Sequence, residues 1–120
     1  ERLYGFAIRH GFDDGQAGPL AAFDMVDRSG NVTAPTKLRW PQTEAIKAFL
    51  ARIEFLGDAD AAARLDKHLA SLFRWFVAPE TGLWFNQLAK DGTPRQTVIP
   101  VRVLYHLLLA LAEWERVRVG

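Results

Sequence analysis

Residues 37–56 read Lys37-Leu38-Arg39-Trp40-Pro41-Gln42-Thr43-Glu44-Ala45-Ile46-Lys47-Ala48-Phe49-Leu50-Ala51-Arg52-Ile53-Glu54-Phe55-Leu56. Ala45, Ile46, Phe49, Ile53 and Leu56 recur at helical spacing. Pro41 stands where a helix can begin, because a first-turn proline gives up no hydrogen bond. The opposite side is also apolar in part, through Ala48, Ala51 and Phe55. A helix apolar nearly all round is buried on more than one side, so this stretch predicts a helix with other helices packed around it.

Downstream, Gly57 ends that helix and Asp58 caps the next, its carboxylate placed to accept from an orphan N–H. The second helix is expected to bury Leu65, Leu69, Leu72, Phe73 and Phe76, to show Lys67, Ser71 and Arg74 to water, and to stop by Pro79 and Gly82. A last helix over about 101–117 carries Leu104, Leu107, Leu108 and Leu111 on one stripe. Upstream, Leu3, Phe6 and Ala7 mark a partial helix that stops at Gly11. Asp13-Asp14-Gly15 and Gly18-Pro19 are turn signals. Residues 20–34 read as a β-hairpin turning at Arg28-Ser29-Gly30-Asn31. Leu83 to Leu88 reads as a strand followed by a hairpin turn at Lys90-Asp91-Gly92-Thr93. The two turn units stand at comparable places before a helix, which suggests a repeating helix–hairpin–helix plan of the kind found in a helical toroid.

The 120 residues are 49% hydrophobic and 24% charged with a net charge of +1, ordinary values for a globular domain. Lys and Arg are interleaved with acids, so nothing points to nucleic acid or to an anionic membrane. With no cysteine, disulfide scaffolds, thiol catalysis and thiolate metal sites are excluded, and a cytoplasmic setting is expected. No apolar run approaches the roughly 20 residues of a membrane span. The start, Glu1-Arg2-Leu3-Tyr4, reads as the tail of a helix, and the expectation is one segment, residues 1–120, of a longer chain.

Three clusters have the composition of a site. On the last helix, Arg102, His106, Leu109 and Glu113 share one narrow sector opposite the leucines. His106 falls in its second turn, where the positive helix end favours a neutral imidazole able to accept a proton; a hydrogen-bonded surface histidine is the alternative. The second cluster, Lys37 to Ala45, gathers two cations, an indole, an amide and a carboxylate at a helix N-terminus. Sugar sites need that mixture: donors and acceptors for hydroxyls, and an aromatic face for the ring. Gln42 lies in the apolar stripe and must be hydrogen-bonded. The third, Gly82-Leu83-Trp84-Phe85 with Asp91-Gly92-Thr93-Pro94, is either a hairpin closing a core or a wall over a sugar site on which Trp84 stacks. His10 and His68 have no second ligand at i+4, so no metal site is readable.

Taken in order, these clusters resemble the N-acylglucosamine 2-epimerase family. The Lys37…Trp40-Pro41-Gln42-Thr43-Glu44-Ala45 run is similar to its K-x-x-W-P-(H/Q)-x-E-A segment. Gly82-Leu83-Trp84…Leu88…Asp91-Gly92-Thr93-Pro94 is similar to its G-x-W-x-x-x-L-x-x-D-G-x-P segment, and Pro100…Tyr105-His106…Glu113 to its closing helix. The resemblance implies an all-α fold, the C-terminal portion of an (α/α)6 barrel with short β-hairpin insertions. It implies sugar epimerisation or isomerisation by histidine-mediated proton transfer next to the carbonyl carbon, with no metal or organic cofactor and a sugar or sugar phosphate as ligand. His106 and Glu44 would be catalytic. Lys37, Trp40, Gln42, Trp84 and Arg102 would bind substrate, Arg39 and Arg102 being able to meet a phosphate. The family's other catalytic histidine lies in a G-H-x-x-E segment that this chain lacks, so an isolated segment would expose its inner face, self-associate and be inactive. Gln42 within W-P-Q-T-E, together with L-Y-H, brings the chain nearer the mannose or mannose-6-phosphate isomerase-like branch. A non-catalytic carbohydrate-binding or structural module, and a glycoside hydrolase on the same barrel, are the alternatives.

Overall fold

The structure, a computed structural model, describes every residue except Thr97, Ile99 and Gly120, together with every side chain among these except that of Arg102. The described residues form four helices: α1 (Arg2–His10), α2 (Arg39–Leu56), α3 (Ala59–Phe76) and α4 (Arg102–Val119). Five short strands lie between them: β1 (Met25–Val26), β2 (Val32–Ala34), β3 (Lys37–Leu38), β4 (Gln87–Leu88) and β5 (Pro94–Gln96).

α2 is the shared partner. It packs along both α3 and α4, and the aromatic ring of Phe12, just after α1, meets Phe49 of α2 at 6.0 Å. The core collects Ile46, Phe49 and Leu50 from α2, Leu65, Leu69, Leu72 and Phe76 from α3, Ala110 from α4, and Leu88 from β4. Each large apolar side chain in it contributes roughly 1.5–3 kcal/mol by leaving water. The two helical neighbours cover the side of α2 that carries Ile46, Phe49 and Leu50, whereas the expected burial of the opposite side is not met: Ala48, Ala51 and Phe55 are exposed.

The α2–α3 junction follows local chemistry. Gly57 takes a left-handed backbone (φ 61°) and its N–H donates to the Ile53 carbonyl at 3.0 Å, a C-terminal stop that glycine adopts without strain. Asp58 Oδ1 then accepts from the Ala61 N–H at 3.0 Å, and its Oδ2 accepts from Arg52 Nε at 2.6 Å. α2 begins two residues before Pro41, at Arg39, still within the first turn, where a missing N–H leaves no bond unmade.

The two turns are built alike. The Gly30 N–H donates to Asp27 O and the Gly92 N–H to Ala89 O, and both glycines have positive φ, 92° and 94°. β1 and β2 form a two-stranded ladder. The second hairpin, β4–β5, gains a third strand, because β3 pairs antiparallel with β4, Lys37 opposite Leu88 and Leu38 opposite Gln87. β3 therefore fastens the start of α2 to a hairpin some fifty residues away.

Several expected faces are corrected by the packing. Tyr4 and Ile8, not Leu3, turn α1 to the core; Leu3 is 87% exposed. On α3, Ser71 is buried and Phe73 exposed, because His68, Leu72 and Phe76 set the inward direction. On α4 the buried seam is Val103, Leu107 and Ala110, while Leu104 and Leu108 face outward. Among the described residues no helix is long and apolar enough to cross a membrane.

Candidate active site between α2 and α4

Packing of α4 along α2 brings together two residues 62 positions apart. His106 Nδ1 lies 2.9 Å from Glu44 Oε1. A carboxylate can only accept, so the ring proton on this side sits on Nδ1, and in the neutral ring the lone pair is on Nε2. Lys47, one turn further along α2, places Nζ 2.7 Å from the same Glu44 oxygen. Partial burial pushes the Glu44 carboxyl up, but the hydrogen bonds and positive charge of Lys47 and His106 outweigh it and hold the group below its ordinary value.

Two aromatic rings adjoin the His106 ring. Tyr105 stacks on it with centroids 4.1 Å apart, and Trp40 lies tilted at 6.3 Å. Beside it opens a hollow of about 490 Å3 lined by Leu38, Trp40, Asn86, Gln96, Pro100, Val103 and His106, within the size range of small-ligand pockets. Asn86 Nδ2 donates to Gln96 Oε1 at 2.8 Å, which sets the two amides at the hairpin side of the hollow. The arrangement offers an oriented imidazole, an ionised carboxylate behind it, an indole face and two amide groups. Asn86 and Gln96 were not expected here; neither belongs to a periodic pattern, and only the β3–β4–β5 pairing brings them to this place.

Three residues expected to bind substrate take other places. Lys37 is fully buried, its Nζ donating to Asp13 Oδ2 at 2.9 Å and to the Lys90 carbonyl at 2.7 Å; a buried ammonium needs such partners, and this one ties the loop after α1 to the second hairpin. Gln42 is also fully buried. Its Oε1 accepts from the Ala22 N–H at 2.7 Å, and its Nε2 donates to the Ala22 and Leu38 carbonyls at 3.0 and 2.7 Å. The need of Gln42 for partners is thus met by backbone. Trp84 packs edge-on against Phe73 at 5.6 Å and beneath the guanidinium of Arg39 at 5.7 Å, outside the lining of the hollow. Arg39, expected near a phosphate, is fully buried there, and burial pushes its guanidinium below the ordinary value. The side chain of Arg102 lies outside those described. Among the described residues no three of His, Asp and Glu converge as metal ligands would.

Comparison with known proteins bears on this geometry. The family model for N-acylglucosamine 2-epimerase (GlcNAc 2-epimerase) matches residues 1–110. The chain is 35% identical over 92 residues to the mannose-6-phosphate isomerase of Rhizobium meliloti, covering 71% of this chain and 23% of that protein. It is 34% identical over 83 residues to the N-acylglucosamine 2-epimerase of Mus musculus, covering 68% of this chain and 20% of that one. The structure of cellobiose 2-epimerase from Spirochaeta thermophila superposes with a TM-score of 0.85 at 17% identity, over 98% of this chain and 31% of that chain. This chain therefore spans between a fifth and a third of the proteins it resembles, and its fold is a portion of an (α/α)6 barrel. On the strength of the match over residues 1–110, the chain belongs to the N-acylglucosamine 2-epimerase family.

Proposed function

We propose that this chain supplies one half of the acid–base site of a sugar isomerase or epimerase, with His106 as the group that moves the proton and Glu44 as its orienting partner. The observation that carries the assignment is the 2.9 Å contact of Glu44 with His106 Nδ1 at the edge of a sugar-sized hollow. With Nδ1–H committed to the carboxylate, Nε2 is left with its lone pair for substrate.

The open-chain sugar enters with its carbonyl carbon and C2 near that nitrogen. Nε2 takes the C2 proton, the C2–H electron pair forms a C1–C2 double bond, and the carbonyl oxygen becomes an enediolate oxygen. The Glu44 carboxylate offsets the positive charge that develops on the ring. Return of a proton to C1, with the O2 proton passing to O1 so that O2 becomes the carbonyl oxygen, gives the ketose, and return to the other face of C2, with O1 again the carbonyl oxygen, gives the epimer. The second outcome calls for a group on the opposite side of the sugar, the role that the family resemblance gives to a further histidine in a segment this chain does not contain. Trp40 offers the apolar face of the ring its stacking surface, and Asn86 and Gln96 offer hydroxyls their amide groups. Similarity to a mannose-6-phosphate isomerase favours mannose or its 6-phosphate as substrate.

The ionisation of Glu44 excludes it as the acid of a glycoside hydrolase. A glycosidase acid is protonated because its carboxyl is raised, whereas Lys47 and His106 hold Glu44 in the opposite direction against its partial burial.

The test is product formation by the complete gene product from mannose, mannose-6-phosphate and N-acetylglucosamine, together with an Glu44→Gln variant. Interconversion of at least one sugar, with kcat reduced roughly 10–100-fold in Glu44→Gln through loss of general acid–base efficiency, is expected. Absence of turnover on all three, or hydrolysis of a glycoside in their place, would contradict the assignment.

A further inference from the structure

Glu44 Oε1 is shared between two proton-bearing groups. Lys47 Nζ approaches it to 2.7 Å and His106 Nδ1 to 2.9 Å. Lys47 lines a groove of about 390 Å3 between α2 and α4, whose lining also holds Glu54, Glu113 and Arg116. Those three charges are already engaged with one another: Arg116 donates to both oxygens of Glu54 at 2.7 Å and to Glu113 at 2.8 Å. The hairpin contributes only the neutral amides Asn86 and Gln96 beside the ring, and α4 adds the uncharged ring of Tyr105. Among the described side chains, the charges that reach the imidazole at contact distance are therefore that of Glu44 and, through the same oxygen, that of Lys47.

We propose that Lys47 is a positioning residue for proton transfer: by holding the carboxylate oxygen that His106 also holds, it offsets the pull of Glu44 on the imidazole. The proposal rests on the isomerase assignment above and deepens it. A histidine that takes a proton from C2 must also give it back. A lone carboxylate at hydrogen-bond distance favours the charged ring, and a ring held charged is a poor base and slow to return its proton. A cation on the same oxygen reduces that bias and keeps the oxygen in line with Nδ1. A neutral residue at position 47 leaves Glu44 free to bind the proton-loaded ring more tightly.

The experiment compares the parent protein with Lys47→Met, Lys47→Gln and Lys47→Arg in the complete gene product, all checked by circular dichroism. Two quantities are read: the pH dependence of solvent-deuterium exchange at C2 of mannose, and the titration midpoint of the His106 ring nitrogens by NMR without sugar, assigned with a His106→Gln variant. In both neutral variants the acid limb of the exchange profile and the ring midpoint move to higher pH by roughly half a unit, the scale set by a solvent-accessible ion pair. Lys47→Arg restores both. A ring midpoint that stays at the parent value in Met and Gln variants overturns the proposal and makes Lys47 an ordinary surface partner of Glu44. A parent protein that exchanges no sugar, with a ring midpoint that still moves, overturns the isomerase assignment instead.

Discussion

Replacing Lys37 by methionine is the severest single test of how this fold is held. The Lys37 ammonium has no exposure, and Asp13 retains 8%. The substitution keeps the aliphatic stem and removes the charge. Asp13 is then left with the Gly15 N–H on its Oδ1 at 3.1 Å, and the Lys90 carbonyl loses the donor it had at 2.7 Å. Removing one member of a buried pair costs about 3–5 kcal/mol, most of it the isolation of the remaining charge. With a urea dependence of about 1–3 kcal/mol per molar, the unfolding midpoint should fall by at least about 1 M. Tryptophan fluorescence and far-UV circular dichroism report it. Asp13→Asn in the Lys37→Met background should recover part of the loss, since two neutral groups isolate no charge; a coupling of about 2 kcal/mol or more is expected in that cycle. The effect is also pH-dependent. Burial alone would raise the Asp13 carboxyl, yet the Lys37 hydrogen bond, the Gly15 N–H and the nearby ammonium hold it below its usual value. A carboxyl depressed in the folded state stabilises above its unfolded value, about 3.9, and that contribution disappears as pH falls through the folded value. The penalty of Asp13→Asn should therefore shrink in acid. A loss below about 0.5 kcal/mol in Lys37→Met, the range of a surface substitution, would refute the buried-pair reasoning.

Two further outcomes follow from the same packing. Gly92→Ala should destabilise by more than about 1–2 kcal/mol, because the backbone there has φ +94° and an added Cβ would run into the Trp75 ring; thermal unfolding measures it, and an unchanged midpoint would contradict the close approach. His68 is buried, with its Nε2 3.2 Å from the Gln42 carbonyl, and has its imidazole pushed down to about 4 by burial. Between that value and about 6.5 the unfolded chain binds the extra proton, so stability is full above the window and falls as pH drops through it. The slope reaches at most about 1.4 kcal/mol per pH unit. His68→Phe should flatten the pH dependence of unfolding between 4 and 6.5 in proportion, and an unaltered slope would show that His68 is not the group responsible.

Much of the architecture is legible in residues that act locally. Gly57 and Asp58 mark the α2–α3 junction because a left-handed stop and a side-chain cap are settled within four residues. The two hairpin turns are legible for the same reason. What is not legible is which face of an element wins. α4 carries leucines on several sides, and only its contact with α2 selects Val103, Leu107 and Ala110 for burial. β3 is two residues long, and its pairing with β4 has no local signature. Lys37 misleads for a related reason: lysine is almost never fully buried unless paired, and its partner Asp13 is 24 residues away in a loop. At the site, the identity of His106 and Glu44 as a pair comes from the family resemblance, since no periodicity relates positions 62 apart. Asn86, Gln96 and Lys47 come to light only through the packing of α4 and the second hairpin on α2.

In the proposed reaction the imidazole of His106, oriented by Glu44, carries the C2 proton. Incubating the complete gene product with mannose in deuterated water and following deuterium at C2 by NMR tests it most directly. Conversion of His106 to alanine should abolish exchange to below about one hundredth of the parent rate, the lower end of what a positioned acid–base group contributes, while the variant keeps its fold and its affinity for sugar. Exchange at the parent rate in that variant would contradict the account.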